Sequence, residues 1–449
     1  MNIDDLEWQR DRLGGVPPRL VEEMLESGGL EAVVEAAQER GDWFCAEGAA
    51  RRLCAEGKFA RAWAVIEPFT ATGWQPAVRV GADVLLRWGR AEQALELTHP
   101  QGRGAKPADA WPDYAEVLVR AGRVDEAIDA LVPHLRERRV LRALVRVTEG
   151  QGRDDRVLQL LAPIADEFRR DPHQCRLRDL WEVLPAQATL LERSGRVDEA
   201  IGLLGADVAA HRYGPQNTVE FHVQLLARHR RTEELRELAT GSHMPTAARA
   251  YVAALEDRGR AADAETYLRT SLDANVYRTT YESALLEFLL RQGRVDEAVA
   301  AVAHTFDDLY DSNLLQATLL HLAERGQPGK ALALTEGRSA TFLEENEDWL
   351  RSNRWWLMGE AGRCQEAIAE IEALPPDEVD DREVTIAWLL ARDDRVEEAI
   401  ALLRQCSGRS AATDLAHLLV TQGRCEEALA VIPDVATQRE EHRRLLRNG

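Results

Sequence analysis

The residues that most often carry chemistry in proteins are cysteine and histidine, and the chain has six and eleven of them. Cys364 and Cys425 look like a pair, but each stands at a position of a recurring segment where other copies have Val, so we expect packed thiols. The close His/Cys pair at 173–175 has no second pair to complete a zinc site. His222 and His229 lie seven residues apart, without an HExxH arrangement. The sequence therefore predicts no metal site.

Catalytic and cofactor-binding motifs are also missing from the sequence. No GxSxG, GxGxxG, HExxH or phosphate-binding GxxxxGK[ST] segment occurs. The glycine-rich segment 101–106 lacks the GK[ST] ending, so we interpret it as a loop. Paired carboxylates are abundant, but in an acidic helical chain they are typical of solvated faces. We therefore expect no enzyme activity and no cofactor.

Composition narrows the possible partners. The 449 residues include 77 Asp and Glu against 56 Lys and Arg, which gives a formal net charge of −21. This charge disfavours nucleic acid and anionic membranes as partners, because both require a positive footprint. No run approaches the ~18 apolar residues of a membrane span.

The compartment is also predicted from the sequence. The first residues, MNIDDLEWQRDRL, are charged throughout, unlike a secretion signal. We therefore expect a cytoplasmic protein with reduced thiols. Arg outnumbers Lys, of which there are three, and this suggests a bacterial, GC-rich genome.

A repeated segment organises most of the chain. Fragments such as AGRVDEAIDAL, SGRVDEAIGLL and QGRVDEAVAAV recur at nearly constant spacing. We index each copy on the residue before its Arg, here called the anchor. Twelve anchors span 366 residues, a mean period of 33.3 residues, which is typical of repeat arrays. The anchors are Gly57, Gly89, Gly122, Gly152, Gly195, Arg230, Gly259, Gly293, Gly326, Gly362, Asp394 and Gly423.

Each position of the repeat predicts a structural role. Leu stands four residues before the anchor in ten copies, as expected for the buried end of a first helix. The anchor Gly favours a turn through positive φ at the C-terminus of that helix, and the Arg that follows lies near the helix's negative end. Acidic residues then favour the N-terminus of a second helix. Ala stands five residues after the anchor in ten copies, where a methyl group lets two helices approach closely.

This pattern resembles the tetratricopeptide repeat family over residues 28–432, in its period, its Leu four residues before Gly and its Gly-x-x-x-Glu-Ala core. The early Trp, a later Ala and the terminal Pro of that family are poorly kept. The resemblance implies an all-α fold, a right-handed superhelical α-solenoid of antiparallel helix pairs with twelve to thirteen repeats. We expect an N-terminal cap at 1–27, a polar capping helix at 433–449, and bends near 165–180 and 335–350. Pentatricopeptide RNA readers share the repeat length, but the charge of −21 disfavours phosphate binding.

An arginine-rich segment is the first candidate binding site. Arg139, Arg142 and Arg146 follow helical spacing on a predicted first helix. First helices line the concave groove in the resembling family, so the register places these side chains in the groove. Guanidinium groups there suit a carboxylate, a phosphate or an acidic segment. The alternative is a solvated face paired with acids of neighbouring repeats.

Amide side chains are the second candidate. The same register places Asn217, Glu220 and Gln224 in the groove, with Asn313 and Gln316 three repeats later. Amide groups both donate and accept hydrogen bonds, which suits the backbone of an extended peptide. The alternative is ordinary polar exposure.

Tryptophans near an acidic segment form the third candidate. Residues 370–398 carry eleven acids and three Arg. The register points Trp349, Trp356 and Trp388 towards the groove, where tryptophans would suit a cationic, partly apolar partner. The alternative is that Trp355 or Trp356 fills the core between helices.

Two function classes follow from these features. The first is a non-catalytic scaffold or adaptor that binds a partner protein or an extended peptide along its groove. The second is a regulatory sensor whose array binds a small peptide or an anionic ligand and changes its superhelical shape to control a separate effector protein.

Overall fold

The computed structural model describes residues 2–100, 107–170, 180–210, 216–241, 244–274, 277–305 and 312–448. Within these ranges the chain is all-α, with a few short 3-10 turns and no strand. Two compact units divide the chain. The first comprises Met1–Ala130 and Met358–Gly449, and the second comprises Leu131–Leu357.

The first unit contains the helices at both ends of the chain. Its N-terminal segment holds α1 (Ile3–Arg12), α2 (Pro18–Glu26), α3 (Leu30–Arg40), α4 (Trp43–Ala55), α5 (Phe59–Thr70), α6 (Gln75–Arg87), α7 (Ala91–Thr98), α8 (Pro107–Arg120) and α9 (Val124–Leu131). Its C-terminal segment holds α23 (Cys364–Ala373), α24 (Arg382–Arg392), α25 (Val396–Leu403), α26 (Arg409–Thr421), α27 (Cys425–Val431) and α28 (Val435–Asn448).

The second unit contains the middle of the chain. Its helices are α10 (Arg138–Val147), α11 (Asp154–Arg170), α12 (Val183–Arg193), α13 (Val197–Ala210), α14 (Gln216–Arg228), α15 (Thr232–Thr240), α16 (Met244–Glu256), α17 (Ala261–Asp273), α18 (Arg278–Arg291), α19 (Val295–Val302), α20 (Ser312–Glu324), α21 (Pro328–Thr335) and the long α22 (Ala340–Glu360). In both units, successive helices pack as pairs joined by tight turns.

The anchor residues form the turns within these pairs. All twelve anchors have positive φ, including the two that are not glycine, Arg230 at 54° and Asp394 at 58°. At Gly293, the amide of Arg294 donates to the Leu289 carbonyl at 3.0 Å, the bond that closes a Schellman turn. The same bond recurs at most other anchors. The predicted turn and its register are therefore confirmed.

The core of each pair consists of the residues flanking the anchor. The ten alanines that stand five residues after an anchor are all fully buried, as are Val157 and Leu235 at the same position. The residues four before the anchors are buried as well. These small and aliphatic side chains let neighbouring helices pack closely, which confirms the predicted helix-pair repeat.

The arginine after the anchor connects successive second helices. Arg294 pairs with Glu297 of its own second helix at 2.5 Å and with Glu265 of the preceding second helix at 2.5 Å. These hydrogen bonds hold the pKa of both carboxyls below their ordinary value. The pairing with an acidic residue three positions later, in the second helix that begins after the arginine, recurs at Arg123, Arg196, Arg231, Arg260, Arg363, Arg395 and Arg424. The sequence pattern suggested only an interaction with the end of the first helix.

One further helix pair precedes the twelve anchors. Helices α2 and α3 pack against each other, and Gly28 between them has a φ of 85°. The turn therefore has the conformation of the anchors, although the residue after it is Gly29 rather than Arg.

Candidate interaction surface

The first helix of each pair presents a stripe of side chains at positions ten, six and two before the anchor, which share one helical face. We call this stripe the first-helix face. In the repeat of α16 it comprises Arg249 and Ala253 of the helix and Asp257 directly after it, all of them exposed. The predicted groove residues whose side chains the structure describes lie on this face or within one turn of it.

One arginine of the stripe on α10 pairs with a buried carboxylate of the protein itself. Arg139, Arg142 and Arg146 are all exposed. Arg142, however, donates from Nε and Nη2 to the two carboxylate oxygens of Glu182, each at 2.6 Å. The Glu182 side chain is only 5 % exposed and also pairs with Arg138. Arg142 therefore neutralises a buried carboxylate of the second unit.

Buried carboxylates of this kind also occur on the first helices α8 and α18. In the first unit, Asp113 is 7 % exposed and receives two hydrogen bonds from Arg79, at 3.0 and 3.1 Å. In the second unit, Glu282 accepts from Arg278 at 2.7 Å and lies 2.8 Å from His304. Sequence analysis gave pairing with acids of neighbouring repeats as the alternative for the arginine stripe, but it did not identify these partners, since those of Arg79 and Arg142 lie 34 and 40 positions away along the chain.

The predicted amide residues remain at the surface. Glu220 and Gln224 are exposed one turn apart on α14, with 3.5 Å between the Gln224 amide nitrogen and a Glu220 oxygen. Asn313 and Gln316 are exposed on α20. The side chain of Asn217 lies outside the described residues.

The tryptophans divide between core and surface. In the second unit, Trp355 is 4 % exposed and fills the core, while Trp349 and Trp356 are half-buried. Trp356 stands six residues before its anchor, on the first-helix face.

Trp388 of the first unit occupies the same repeat position as Trp356 and is also half-buried. Its ring lies against Gly359, where an added Cβ would be 2.6 Å from the ring. The Arg392 guanidinium lies 5.4 Å from the ring centroid. Trp388 thus combines a packing contact with a cation–π contact.

A cleft of about 450 Å³ opens between α16 and α18 of the second unit. Val252, Ala253 and Ala284 supply its apolar surface, and the small alanine side chains leave the space open. The sequence analysis did not predict this cleft. Small residues within the first-helix face could have indicated it, because small side chains leave space between neighbouring helices.

Ion pairs flank this cleft and connect the two helices. Arg249 lies 3.1 Å from Glu287, and Arg291 lies 2.7 Å from Glu256. The four side chains are more exposed than buried carboxylates such as Glu182, so they retain access to a ligand. The cleft therefore offers apolar contact at its centre and hydrogen-bonding groups of both signs around it.

The first unit has a smaller cavity of about 280 Å³ among α4, α6 and α8. Its lining includes the Arg79–Asp113 pair and Asp83, which lies 2.8 Å from Arg120. The same construction, apolar side chains between ion pairs of successive first helices, therefore occurs in both units.

Thiols and histidines do not form a metal centre in the described ranges. No group of three or more His, Cys, Asp or Glu side chains there could hold a metal ion. Cys364 and Cys425 are buried, as expected, and burial raises the pKa of both thiols. His222 is buried and His229 lies 2.7 Å from Glu192, whereas residues 173–175 lie outside the described part.

None of the described helices combines the length and apolar character needed to cross a membrane.

The fold is an array of α-helical pairs, the architecture that the tetratricopeptide-like sequence pattern implies. No protein-family model and no curated protein matches the chain by sequence. The chain is similar in structure to Naa15/Naa10 bound to HypK-THB, with a TM-score of 0.37 and 15 % identity over 86 % of this chain and 67 % of that one. The maize pentatricopeptide repeat protein PPR10 matches with a TM-score of 0.33 and 15 % identity, over 97 % and 70 %.

Yeast Tom70 matches with a TM-score of 0.29 and 11 % identity, over 89 % of this chain and 96 % of that one. Similarity at this level is a likeness of helical-repeat folds and carries no information on partners. The preference for a protein partner over nucleic acid therefore remains a prediction from charge.

Proposed function

We propose that this protein is a non-catalytic interaction scaffold that binds a partner protein or an extended peptide segment along its first-helix face. The observation that carries the proposal is the 450 Å³ cleft between α16 and α18. Its volume lies within the range of about 300–1,000 Å³ that is usual for ligand sites.

The chemistry of the cleft suits an extended peptide. Ala253 and Ala284 leave room for a partner's side chain. Arg249 and Glu287, which pair at 3.1 Å beside this space, can also donate to peptide carbonyls and accept from peptide amides. A peptide crossing the cleft would therefore find apolar contact and backbone hydrogen bonds together.

Other exposed residues of the second unit extend the proposed contact set. Gln224 and Gln316 are exposed first-helix residues that can hydrogen-bond to a peptide backbone. Phe221 and Leu320 are 40 % and 42 % exposed and offer apolar contacts. The remaining predicted contacts are Arg139, Arg146, Glu220, Asn313, Trp349 and Trp356, with Trp388 in the first unit. Arg142 acts indirectly, since it holds Glu182.

The test fills the cleft without disturbing the core. Ala253 is exposed, so Ala253→Trp places an indole in the cleft at little cost to folding. The matched control is Ala262→Trp, which adds the same side chain at an exposed position on α17 of the same repeat. We expect a partner captured from lysate by the wild type to be lost with Ala253→Trp and retained with Ala262→Trp.

Purified partner then gives the quantitative test. Titration should show at least a tenfold weaker Kd for Ala253→Trp, and the thermal unfolding of both variants should match the wild type. Equal affinity of the two variants would place binding away from this cleft and overturn the assignment.

A further inference from the structure

The two ends of the chain meet within the first unit. Helix α2 packs against α26, and α3 packs against α27. First helix thus contacts first helix and second contacts second, as α4 contacts α6 and α3 contacts α5 between successive repeats. The N-terminal pair α2–α3 therefore stacks on the last repeat as a following repeat would. We call the contacts between residues 2–40 and 409–448 the terminal junction.

Gln438 forms the buried centre of the terminal junction. Its side chain accepts from the Gly15 amide at 3.0 Å and donates to the Gly15 carbonyl at 3.2 Å. The residue is 4 % exposed, and its amide group also donates to the Pro433 carbonyl at 2.7 Å. On the other side of this loop, buried Asp42 accepts from the Val16 amide at 2.7 Å. The loop at 15–16 is therefore held by side chains from both ends of the chain.

Arginine side chains bind backbone carbonyls across the terminal junction. Arg40 donates to the carbonyls of Leu429 and Ile432, at 2.7 and 2.5 Å. These carbonyls lie at the C-terminal end of α27, where helices leave such groups without an intrahelical partner. Arg409 donates in the same way to the carbonyls of Arg12 and Leu13.

Two side-chain pairs complete the polar contacts. Arg439 pairs with Asp5, and His417 lies 2.5 Å from Glu23. Most of these groups are partly exposed, so water can replace their partners when the contact opens.

One close backbone approach shows how tightly the second helices meet. A Cβ built on Gly29 would lie 2.8 Å from Sγ of Cys425 and 3.0 Å from its Cβ. Gly29 therefore allows α3 to approach α27 so closely that a side chain at position 29 would require Cys425 to shift slightly.

We propose that the terminal junction is a latch: a polar contact that opens as a unit while the helix pairs on either side remain folded. Opening leaves α2 packed on α3 and α4, and α26 packed on α24, α25 and α27. The stacking faces it uncovers are complementary, so the partner of an open end is the opposite end of a second copy of this chain. This inference is independent of the interaction proposed for the first-helix face.

A designed disulfide tests whether the latch is closed in solution. Gly29→Cys places a thiol beside Cys425, and a shift of roughly half an ångström brings the two Cβ atoms into the range of a disulfide, about 3.5–4.5 Å. Diamide accepts the two electrons and two protons released as the S–S bond forms. We expect most of the monomer to carry a 29–425 disulfide, identified by peptide mapping. The control, Gly29→Cys with Cys425→Ser, should carry none.

Hydrogen exchange on the unmodified chain tests the opening and stays informative if Gly29→Cys does not fold. The Gly15 amide should exchange at least tenfold faster than the Arg294 amide of an internal anchor turn. Gln438→Ala should accelerate Gly15 exchange a further tenfold, leave Arg294 unchanged and produce a concentration-dependent dimer. Gln405→Ala, an exposed substitution on the turn after α25, is the control and should change neither amide.

Two results would overturn the latch. One is a folded Gly29→Cys protein that forms no 29–425 disulfide, since the ends then do not meet in solution. The other is equal exchange at Gly15 and Arg294 in the wild type, with both accelerated together by Gln438→Ala. The junction would then be an integral part of the core that opens only on unfolding.

Discussion

At the scale of single residues, buried carboxylates decide which arginines are available to a partner. Glu182 is 5 % exposed, and Arg138 and Arg142 both approach it. A buried charge is costly unless it is paired, so these arginines stabilise the fold before they can serve any ligand. Exposure alone would have counted Arg142 among the ligand-binding groups.

We predict that Arg142→Ala lowers the free energy of unfolding by about 1–2 kcal/mol, because Glu182 loses one of its two guanidinium partners. The estimate is below that for a fully buried pair, since the Arg142 side chain is 57 % exposed. Chemical denaturation measures the loss. In a Glu182→Gln background the same substitution should cost clearly less, and an equal cost in both backgrounds would contradict the pairing argument.

At the scale of the helix pair, the turn between the two helices is the most constrained element. Ten anchors are glycine, but Arg230 and Asp394 adopt the same left-handed conformation with φ of 54° and 58°. A side chain costs about 1 kcal/mol in this region relative to glycine. The surrounding helices therefore hold these two turns in a left-handed conformation that residues other than glycine disfavour.

We predict that Asp394→Gly raises the free energy of unfolding by roughly 0.5–1 kcal/mol, since it removes the left-handed strain at the price of some unfolded-state entropy. Urea denaturation followed by circular dichroism measures the change. The control is Gln422→Gly at an exposed helix end with φ of −91°, where glycine relieves nothing and should destabilise. A loss of stability with Asp394→Gly would show that its side chain contributes more than its backbone costs.

At the scale of the whole molecule, repeated Arg–Glu pairs distribute charge compensation along an acidic chain. Hydrogen bonds from the arginines that directly follow the anchors lower the pKa of Glu126, Glu199, Glu297 and Glu398. Asp42 behaves in the opposite way, because burial raises its pKa. The paired glutamates outnumber such buried acids among the residues described.

We predict that acid destabilises the protein. A lowered folded-state pKa means that the stabilisation is complete above the ordinary value of 4.5 and is lost as the pH falls through the folded-state pKa. The Tm should therefore decrease between about pH 5 and pH 3, and added salt should reduce the dependence because the pairs are exposed. Arg294→Gln should flatten the decrease, since it releases Glu297 and leaves Glu265 with Arg269 alone. A Tm that stays constant over this range would contradict the role of the pairs.

The sequence by itself determined the repeating unit. Leu289, Gly293 and Ala298 are close neighbours along the chain. Helical spacing on either side of a glycine turn is therefore enough to predict that Leu289 and Ala298 are buried and that Gly293 forms the turn. Such short-range patterns predicted the helix pairs, the turns at all twelve anchors and the buried alanines, even where Arg230 and Asp394 replace glycine.

Only the tertiary structure decided which distant side chains meet. Gln438 binds Gly15 across 423 positions, and Arg142 binds Glu182 across 40. The cleft between α16 and α18 likewise depends on how two separate helices pack. No local pattern encodes these contacts, because a polar side chain on a helix surface suits water, a ligand or another repeat equally well. The stacking of repeats determines which of these groups come into contact, and those contacts form both the candidate site and the terminal junction.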